Sequence, residues 1–376
     1  MKSMQSDLAK RMESIRPSGI RRIFELIESM EDPINLSIGQ AHFQTPEPLV
    51  EAACKALRDG HSRYTTTQGL PGLNERILGN IEERYGCRPE STLVTSGVSG
   101  GIMMAFLALL DPGDEVLLPD PNFMMYQRLA AICGAEIRYY DMYPSWGIDL
   151  AEVEEAVTEK TKIVFLNSPS NPTGGVLDRE QIAGIVAAAE KVGAFIVSDE
   201  IYDSFVYDQE HVSPLSMSDR VIHLGGYSKT YFVPGWRMGY ATGPAAVIDA
   251  MQTLQQFSYV CAPAPFQHAI LEAAFDLDVG DYVDAYRSNR DFVVENLHPS
   301  FQVVRPGGSF YAFPSYPPGI AEPVFMEAAL GRGILTVPGS AFSRRDTNFR
   351  ISFAVDDVML KRGISGLNEL AEQFKE

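Results

Sequence analysis

Four short segments carry residue types that could do chemistry. The run from Tyr227-Ser228-Lys229-Thr230 to Arg237-Met238-Gly239-Tyr240 sets one lysine and one arginine among apolar and small residues. A desolvated lysine amine has a lowered pKa and attacks carbonyls. The arginine suits an anion gripped by two parallel hydrogen bonds. A half-buried structural lysine would fit the same pattern. Ser198-Asp199-Glu200-Ile201-Tyr202 follows an apolar run, Phe195–Val197. Ligands of open α/β sheets sit at the carboxyl ends of strands, so a carboxylate there can face a cation or a protonated ring. The alternative is a helix N-cap by Asp199. Asn167-Ser168-Pro169-Ser170-Asn171-Pro172-Thr173-Gly174 also follows such a run. Its prolines make a rigid loop able to aim Asn171, or turn chemistry and nothing more. Gly97-Val98-Ser99-Gly100-Gly101 ends a strand and opens a helix. Free N–H groups and the helix dipole would hold a phosphate there, unless it is a plain tight turn.

The nucleotide fingerprints are missing. No G-x-G-x-x-G occurs, and no glycine precedes Lys229 in Ser228-Lys229-Thr230, as a P-loop requires. Neither a nicotinamide cofactor nor ATP is supported. The histidines show no ligand spacing such as His-Glu-x-x-His, so no metal is expected; His42 is the one expected near the pocket.

These segments need elements to position them. Short apolar runs alternate with helical stretches: Thr92–Thr95, Glu115–Leu118, Glu136–Tyr139, Ile163–Leu166, Phe195–Val197, Val221–Leu224 and Met238–Ala241. Between them lie Gly101–Leu110, Met124–Cys133, Leu150–Val157 and Arg179–Lys191. Continuous apolar strands separated by helices predict an α/β fold with a mostly parallel central sheet sandwiched by helices. Near Asp276–Asp281 the texture changes. A polar helix (Tyr282–Leu297), strands at Phe301–Val304 and Ser309–Phe313, a helix (Pro323–Leu330), a strand near Ile334–Val337, a strand (Asn348–Phe353) and a helix (Val358–Phe374) predict a smaller α+β domain. The first thirty residues read as a helix, with Ile15, Ile20, Ile23, Phe24 and Ile27 on one face.

The chain of 376 residues has room for two or three domains. Apolar residues make up 45% and charged residues 21%, which excludes a disordered chain, a collagen-like fibre or a coiled coil. Lys and Arg total 31 against 49 Asp and Glu, a net charge of −18. Such a surface repels a phosphate backbone, so no nucleic-acid partner is expected. The longest apolar run, Ile102–Leu110, is too short to cross a membrane, and Met1–Glu13 lacks a signal-peptide core. Cys54, Cys87, Cys133 and Cys261 lie far apart and read as reduced thiols of a cytoplasmic protein.

In order and spacing, the four segments together resemble the class I aminotransferases among the fold-type I pyridoxal-5′-phosphate (PLP) enzymes. The likeness runs from about Asn35 to Phe353. It implies that Lys229 forms the Schiff base with the cofactor aldehyde and later moves the substrate's α-proton. It implies that Asp199 pairs with the pyridine nitrogen and keeps it protonated. Tyr202 and Asn171 match donors to the cofactor's phenolic oxygen. Arg237, Ser228 and Gly97-Val98-Ser99 look like its phosphate cup. Phe123 sits where the family stacks an aromatic ring on the pyridine, or is a core phenylalanine. Tyr64 resembles the tyrosine that reaches the neighbouring subunit's phosphate, which implies a homodimer with shared active sites. Arg350 matches the arginine for the substrate α-carboxylate, with Gly39 and Asn171 adding donors.

The resemblance divides the chain into a helical segment, 1–40, joining the small domain; a large cofactor-binding domain, 41–278; and a small C-terminal domain, 279–376. It implies ping-pong transfer of an amino group from an L-amino acid to a 2-oxo acid. A carbon–sulfur lyase on the same fold is the alternative. A transcription regulator with an aminotransferase-like domain would add a DNA-binding segment, which an acidic chain with this pattern from about residue 30 does not suggest. Three positions depart from the family. Gly39-Gln40-Ala41-His42 replaces a Gly-x-Pro-Asp loop. Ser99 stands where some prokaryotic aspartate aminotransferases carry a lysine. Phe257–Pro265 replaces a serine/threonine-rich run. Aspartate, alanine, aromatic and branched donors all fit.

Overall fold

A computed structural model of the chain describes residues 8–13, 15 and 30–375. The helix expected over the first thirty residues lies almost wholly outside them. Lys10–Glu13 form a short 3-10 turn.

Strand β1 is Ile34–Asn35. The large sheet is built from β2 (Ser91–Ser96), β3 (Glu115–Asp120), β4 (Glu136–Asp141), β5 (Thr161–Asn167), β6 (Phe195–Asp199), β7 (Val221–Gly226) and β8 (Met238–Gly243). Its order is β2-β8-β7-β6-β5-β3-β4. β8 runs antiparallel to both neighbours, and every other pairing is parallel. The expected mostly parallel sheet is therefore the fold, and each apolar run read as a strand lies in it.

Successive residues of β5 show why continuous apolar runs were required. Ile163 and Phe165 enter one buried cluster with Ile102, Phe106 and Leu129 of the helices Gly97–Leu109 and Met125–Cys133. Val164 and Leu166 enter another with Val153, Ile182 and Ile185 of the helices Leu150–Ala156 and Arg179–Lys191. Strand side chains alternate between faces, so a sheet covered on both must be apolar at every position. Fully burying each such side chain is worth about 1.5–3 kcal/mol. Helix Arg179–Lys191 starts on a capping box: Asp178 Oδ1 accepts from Gln181 N (2.8 Å), and Gln181 Oε1 accepts from Asp178 N (3.1 Å).

The C-terminal part carries β9 (Tyr311–Ala312), β10 (Ile334–Leu335), β11 (Val337–Pro338) and β12 (Phe349–Ser352), with helices Gly280–Asn296, Glu322–Gly331 and Asp357–Gln373. β12 pairs antiparallel with β9 and β11, while β1 pairs parallel with β10. The strand expected at Phe301–Val304 does not form. Just beyond it, Gly307 N and Gly308 N both donate to Gly174 O (2.9 and 3.0 Å), which draws the chain toward the loop after β5. The strand expected at Ser309–Phe313 shrinks to β9 for a related reason, since Ser309 N donates to Phe205 O (2.8 Å). The expected strand at Ile334–Val337 splits into β10 and β11, which join different sheets. Ser352 N donates to Leu36 O (2.7 Å), so β12 also holds the segment entering Gly39.

Candidate active site

A cavity of about 310 Å³ opens where β5, β6 and β7 end. Gly39, Val98, Ser99, Phe123, Asn171, Asp199, Tyr202, Ser228, Lys229, Arg237 and Arg350 all line it. Two of the expected residues do not. Gly97 lies behind Arg237. Tyr64 is 81% exposed and lines a separate shallow hollow with Arg63 and Cys261. His42 is also absent from the lining; it packs against Phe43 and Tyr286.

Asp199 ends β6 and is buried. Its Oδ2 accepts from Tyr126 Oη (2.7 Å) and its Oδ1 from Ile201 N (3.2 Å). No helix follows it, only turns, so the helix-cap alternative does not apply. Burial pushes its carboxyl up to about 6, against the pull of the Tyr126 hydroxyl and the Ile201 amide. Asn167, the last residue of β5, couples the two loops. Its Nδ2 donates to Asp199 O (3.0 Å), and its Oδ1 accepts from Asn171 N (2.9 Å).

Lys229 lies just beyond β7, and its Nζ donates to Gly39 O (2.6 Å). Burial pushes the amine down to about 8, and the positive charges of Arg350 and Arg237 push the same way. Arg350, on β12, is buried. Its Nη1 donates to Asn171 Oδ1 (2.9 Å) and its Nη2 to Ser37 O (2.6 Å), while its buried Nε has no hydrogen-bond partner among the described residues. Tyr311 lies beneath the guanidinium, with the Arg350 carbon 4.4 Å from the ring centre. The Tyr311 and Tyr202 hydroxyls are hydrogen-bonded at 2.9 Å. Any side chain at Gly39 would put its Cβ 2.1 Å from Tyr311 Oη, so that position must stay bare.

Arg237 adopts a left-handed backbone, φ +55°. An L-residue held there is strained, a condition that clusters at functional sites. Its Nη1 donates to Pro234 O (2.9 Å) and its Nη2 to Ser96 O (3.3 Å). The guanidinium lies over the start of helix Gly97–Leu109, whose first turn has no side-chain cap and no acidic residue. Gly97 has φ +67°, and a Cβ on it would fall 2.6 Å from Arg237 Nη2. The positive φ calls for glycine there, whereas the tip of the Arg237 side chain could move aside.

Three site residues escaped the sequence reading. Tyr126 sits in an apolar helix beside Phe123, and only the need of a buried phenol for a partner hinted at it. Tyr311 carried no signal, being one aromatic in an apolar stretch. Asn167 was seen only as part of its loop.

The fold and this cavity define an enzyme that carries its reactive groups at the carboxyl ends of a parallel sheet. The chain belongs to the aminotransferase class I and II family, whose model matches residues 31–367. It is 36% identical over 97% of its length to the whole of a probable aspartate aminotransferase of Methanocaldococcus jannaschii. An aspartate aminotransferase double mutant of Thermus thermophilus superposes with a TM-score of 0.91 at 31% identity, covering 98% of this chain and 100% of that one. An alanine aminotransferase of Pyrococcus furiosus gives 0.91 at 30%, covering 97% and 100%. The chain is thus a transaminase, moving an amino group from an amino acid to a 2-oxo acid.

Proposed function

We propose that the cavity holds PLP and that Lys229 is its covalent anchor and proton carrier. Four features of the site fit that group. Asp199 is a buried carboxylate with no ion pair among the described residues, so it suits a protonated ring nitrogen. The uncapped helix start, Ser99, Ser228 and Arg237 together suit a phosphate. Tyr202 and Asn171 bring polar groups to the same wall, and Phe123 brings an aromatic face. Lys229 is an amine whose lowered pKa leaves a neutral, nucleophilic fraction at working pH.

When bound, the cofactor supplies an aldehyde to take the amino group and a ring that accepts electrons from the substrate α-carbon. The protein supplies the rest. Arg350 grips the α-carboxylate, and its pinned Nη atoms fix the plane of that grip. Lys229 Nζ takes the proton from the α-carbon and returns it one centre away. Asp199 keeps positive charge on the ring while the carbanion forms. Two half-reactions, amino acid in and 2-oxo acid in, run over the same residues. Residues 41–278 serve as the cofactor domain, and 279–376 with 1–40 as the small domain. The chain works as a homodimer in the cytoplasm. Tyr64, exposed on one protomer, reaches the partner's phosphate.

The relatives are named for aspartate and alanine. The cations lining the cavity are Lys229, Arg237 and Arg350, and each has a task. A second substrate carboxylate would therefore draw on a cation beyond this lining. The observation that carries the proposal is the placing of Lys229 and Asp199 in one buried cavity with two arginines. Borohydride reduction of the PLP-loaded protein should fix the cofactor on Lys229, and Lys229→Ala should still take up cofactor but lose nearly all turnover. A protein that stays colourless with added PLP refutes it. Pyruvate and ammonia from cystathionine, with no oxo acid present, would instead favour the lyase.

A further inference from the structure

The residue after Asp199 faces away from the cavity, into a second cluster of ionisable groups. Glu200 is buried, and its Oε1 accepts from Ser198 Oγ (2.7 Å) and Ser213 Oγ (2.9 Å). Its Oε2 lies 2.7 Å from His211 Nε2 and 3.5 Å from His223 Nε2. The His211 and His223 side chains are 6% and 0% exposed. Thr242 Oγ1 stands 3.5 Å from His223 Nδ1, on the neighbouring strand β8. None of these side chains lines the active-site cavity, and the transamination steps do not use them.

A carboxylate buried this deeply stays charged only where cations or hydrogen-bond donors face it. Burial pushes Glu200 up, but His223 and His211 outweigh it and hold the group far below the ordinary carboxyl range. A proton on the imidazole side of Oε2 would make the cluster neutral. Asp203 acts on the same cluster, its charge favouring a proton on the imidazoles and opposing the charge of Glu200. Asp203 is closed by Arg84 at 2.6 Å and receives the Tyr85 hydroxyl at 3.2 Å. The Tyr240 ring packs on His223 as a neutral phenol, and Cys87 stays a thiol.

Asp199 and Glu200 are consecutive, so the state of one acts on the other. The Glu200 charge disfavours ionisation of Asp199, and the His223 charge favours it. On the cavity side Asp199 meets Tyr126, with Lys229 across the cavity. We propose that Glu200, His211 and His223 are positioning residues for transamination, sharing one proton that cancels the Glu200 charge and leaves Asp199 free to ionise beside the cofactor ring. The inference rests on the reading of Asp199 as the ring's partner.

The test compares PLP-loaded wild type, H211N/H223N and E200Q/H211N/H223N. The double variant leaves Glu200 with no imidazole, while Ser198 and Ser213 still donate to its charge. Its acid limb in kcat/KM should move up by about one pH unit or more, as a like charge beside a carboxylate requires. The triple variant, which removes that charge, should return to the wild-type limb; a purely structural role for the histidines would not be rescued this way. A second arm does not use activity. In ¹⁵N-histidine NMR of the wild type, one imidazolium, identified by comparison with E200Q, should persist well above the ordinary histidine pKa near 6.5. E200Q should return it to ordinary titration. This arm decides the matter if the double variant fails to fold. The inference is overturned if the double variant keeps the wild-type limb, if the triple variant is not rescued, or if both imidazoles titrate ordinarily in the wild type. Any of these, in an enzyme that still takes up cofactor and transaminates, leaves the reading of Asp199 standing. A wild type that takes up no cofactor overturns that reading instead.

Discussion

Asp199→Asn should stabilise the cofactor-free protein near neutral pH while crippling the loaded enzyme. Burial lifts the Asp199 carboxyl from about 3.8 to about 6 in the folded state. The folded protein then binds more protons than the unfolded chain between those values. Stability of the wild type must fall as pH rises through that window, and the loss is complete above about pH 6. About two pKa units at 1.36 kcal/mol each come to roughly 3 kcal/mol. Asparagine can still accept the Tyr126 hydroxyl, but it carries no charge to bury. The stability difference, variant minus wild type, should therefore grow by roughly 2–3 kcal/mol between about pH 4 and pH 7.5. Urea melts of both cofactor-free proteins at equal concentration across that range measure it. The loaded variant should lose at least about a hundredfold in the rate of α-proton removal, at 1.36 kcal/mol per decade. A stability difference that is flat with pH would mean that Asp199 is not a strained buried acid. Near-normal proton removal in the folded variant would mean that its charge does not serve the ring.

Arg350→Lys keeps the charge but loses the planar fork. A hydrogen bond to a charged group is worth about 1.5–3 kcal/mol, so KM should rise by about tenfold or more for the amino donor and the 2-oxo acid alike. Cofactor uptake should not change, and a KM effect on one substrate alone would refute the assignment. Mixing Tyr64→Ala with Lys229→Ala chains should regain activity, because each hybrid dimer contains one site with both native residues. Hybrids that form without any regain would show that Tyr64 does not cross between subunits.

The strands of the large sheet were legible because a sheet buried on both faces demands an unbroken apolar run, and β5 meets that demand from Ile163 to Leu166. The short strands were not. β9 and β10 each have two residues, too few for a period, and their backbone partners are decided by distant loops. Phe301–Val304 has the pattern of a strand, yet the glycines after it bond to Gly174 instead. In the site, loops with unusual composition announced Lys229, Asp199 and Asn171. Tyr126 and Tyr311 could not announce themselves, because an aromatic that donates one hydrogen bond looks like any core aromatic until its partner is known. Glu200 stood in view beside Asp199, but His211 and His223 join it from other segments and share no spacing with it.

Charge shows why whole-chain arithmetic gave so little about the ligand. The chain carries −18, yet the cavity lining sets Lys229, Arg237 and Arg350 against Asp199 alone, three cations to one carboxylate. A cleft with low-dielectric walls concentrates the field of its own charges, so the local sign governs what enters. The groups this site has to hold, a phosphate and a carboxylate, are anions. Each cation is fixed by a backbone carbonyl: Lys229 by Gly39, Arg350 by Ser37, and Arg237 by Pro234 and Ser96. A carbonyl orients a cation without cancelling its charge, whereas a carboxylate in the same place would neutralise it. The one carboxylate present is bonded instead to a neutral phenol and a backbone amide. The site thus keeps opposite charges apart within one cavity, the arrangement in which an anionic molecule with a basic ring nitrogen finds a partner at every polar end.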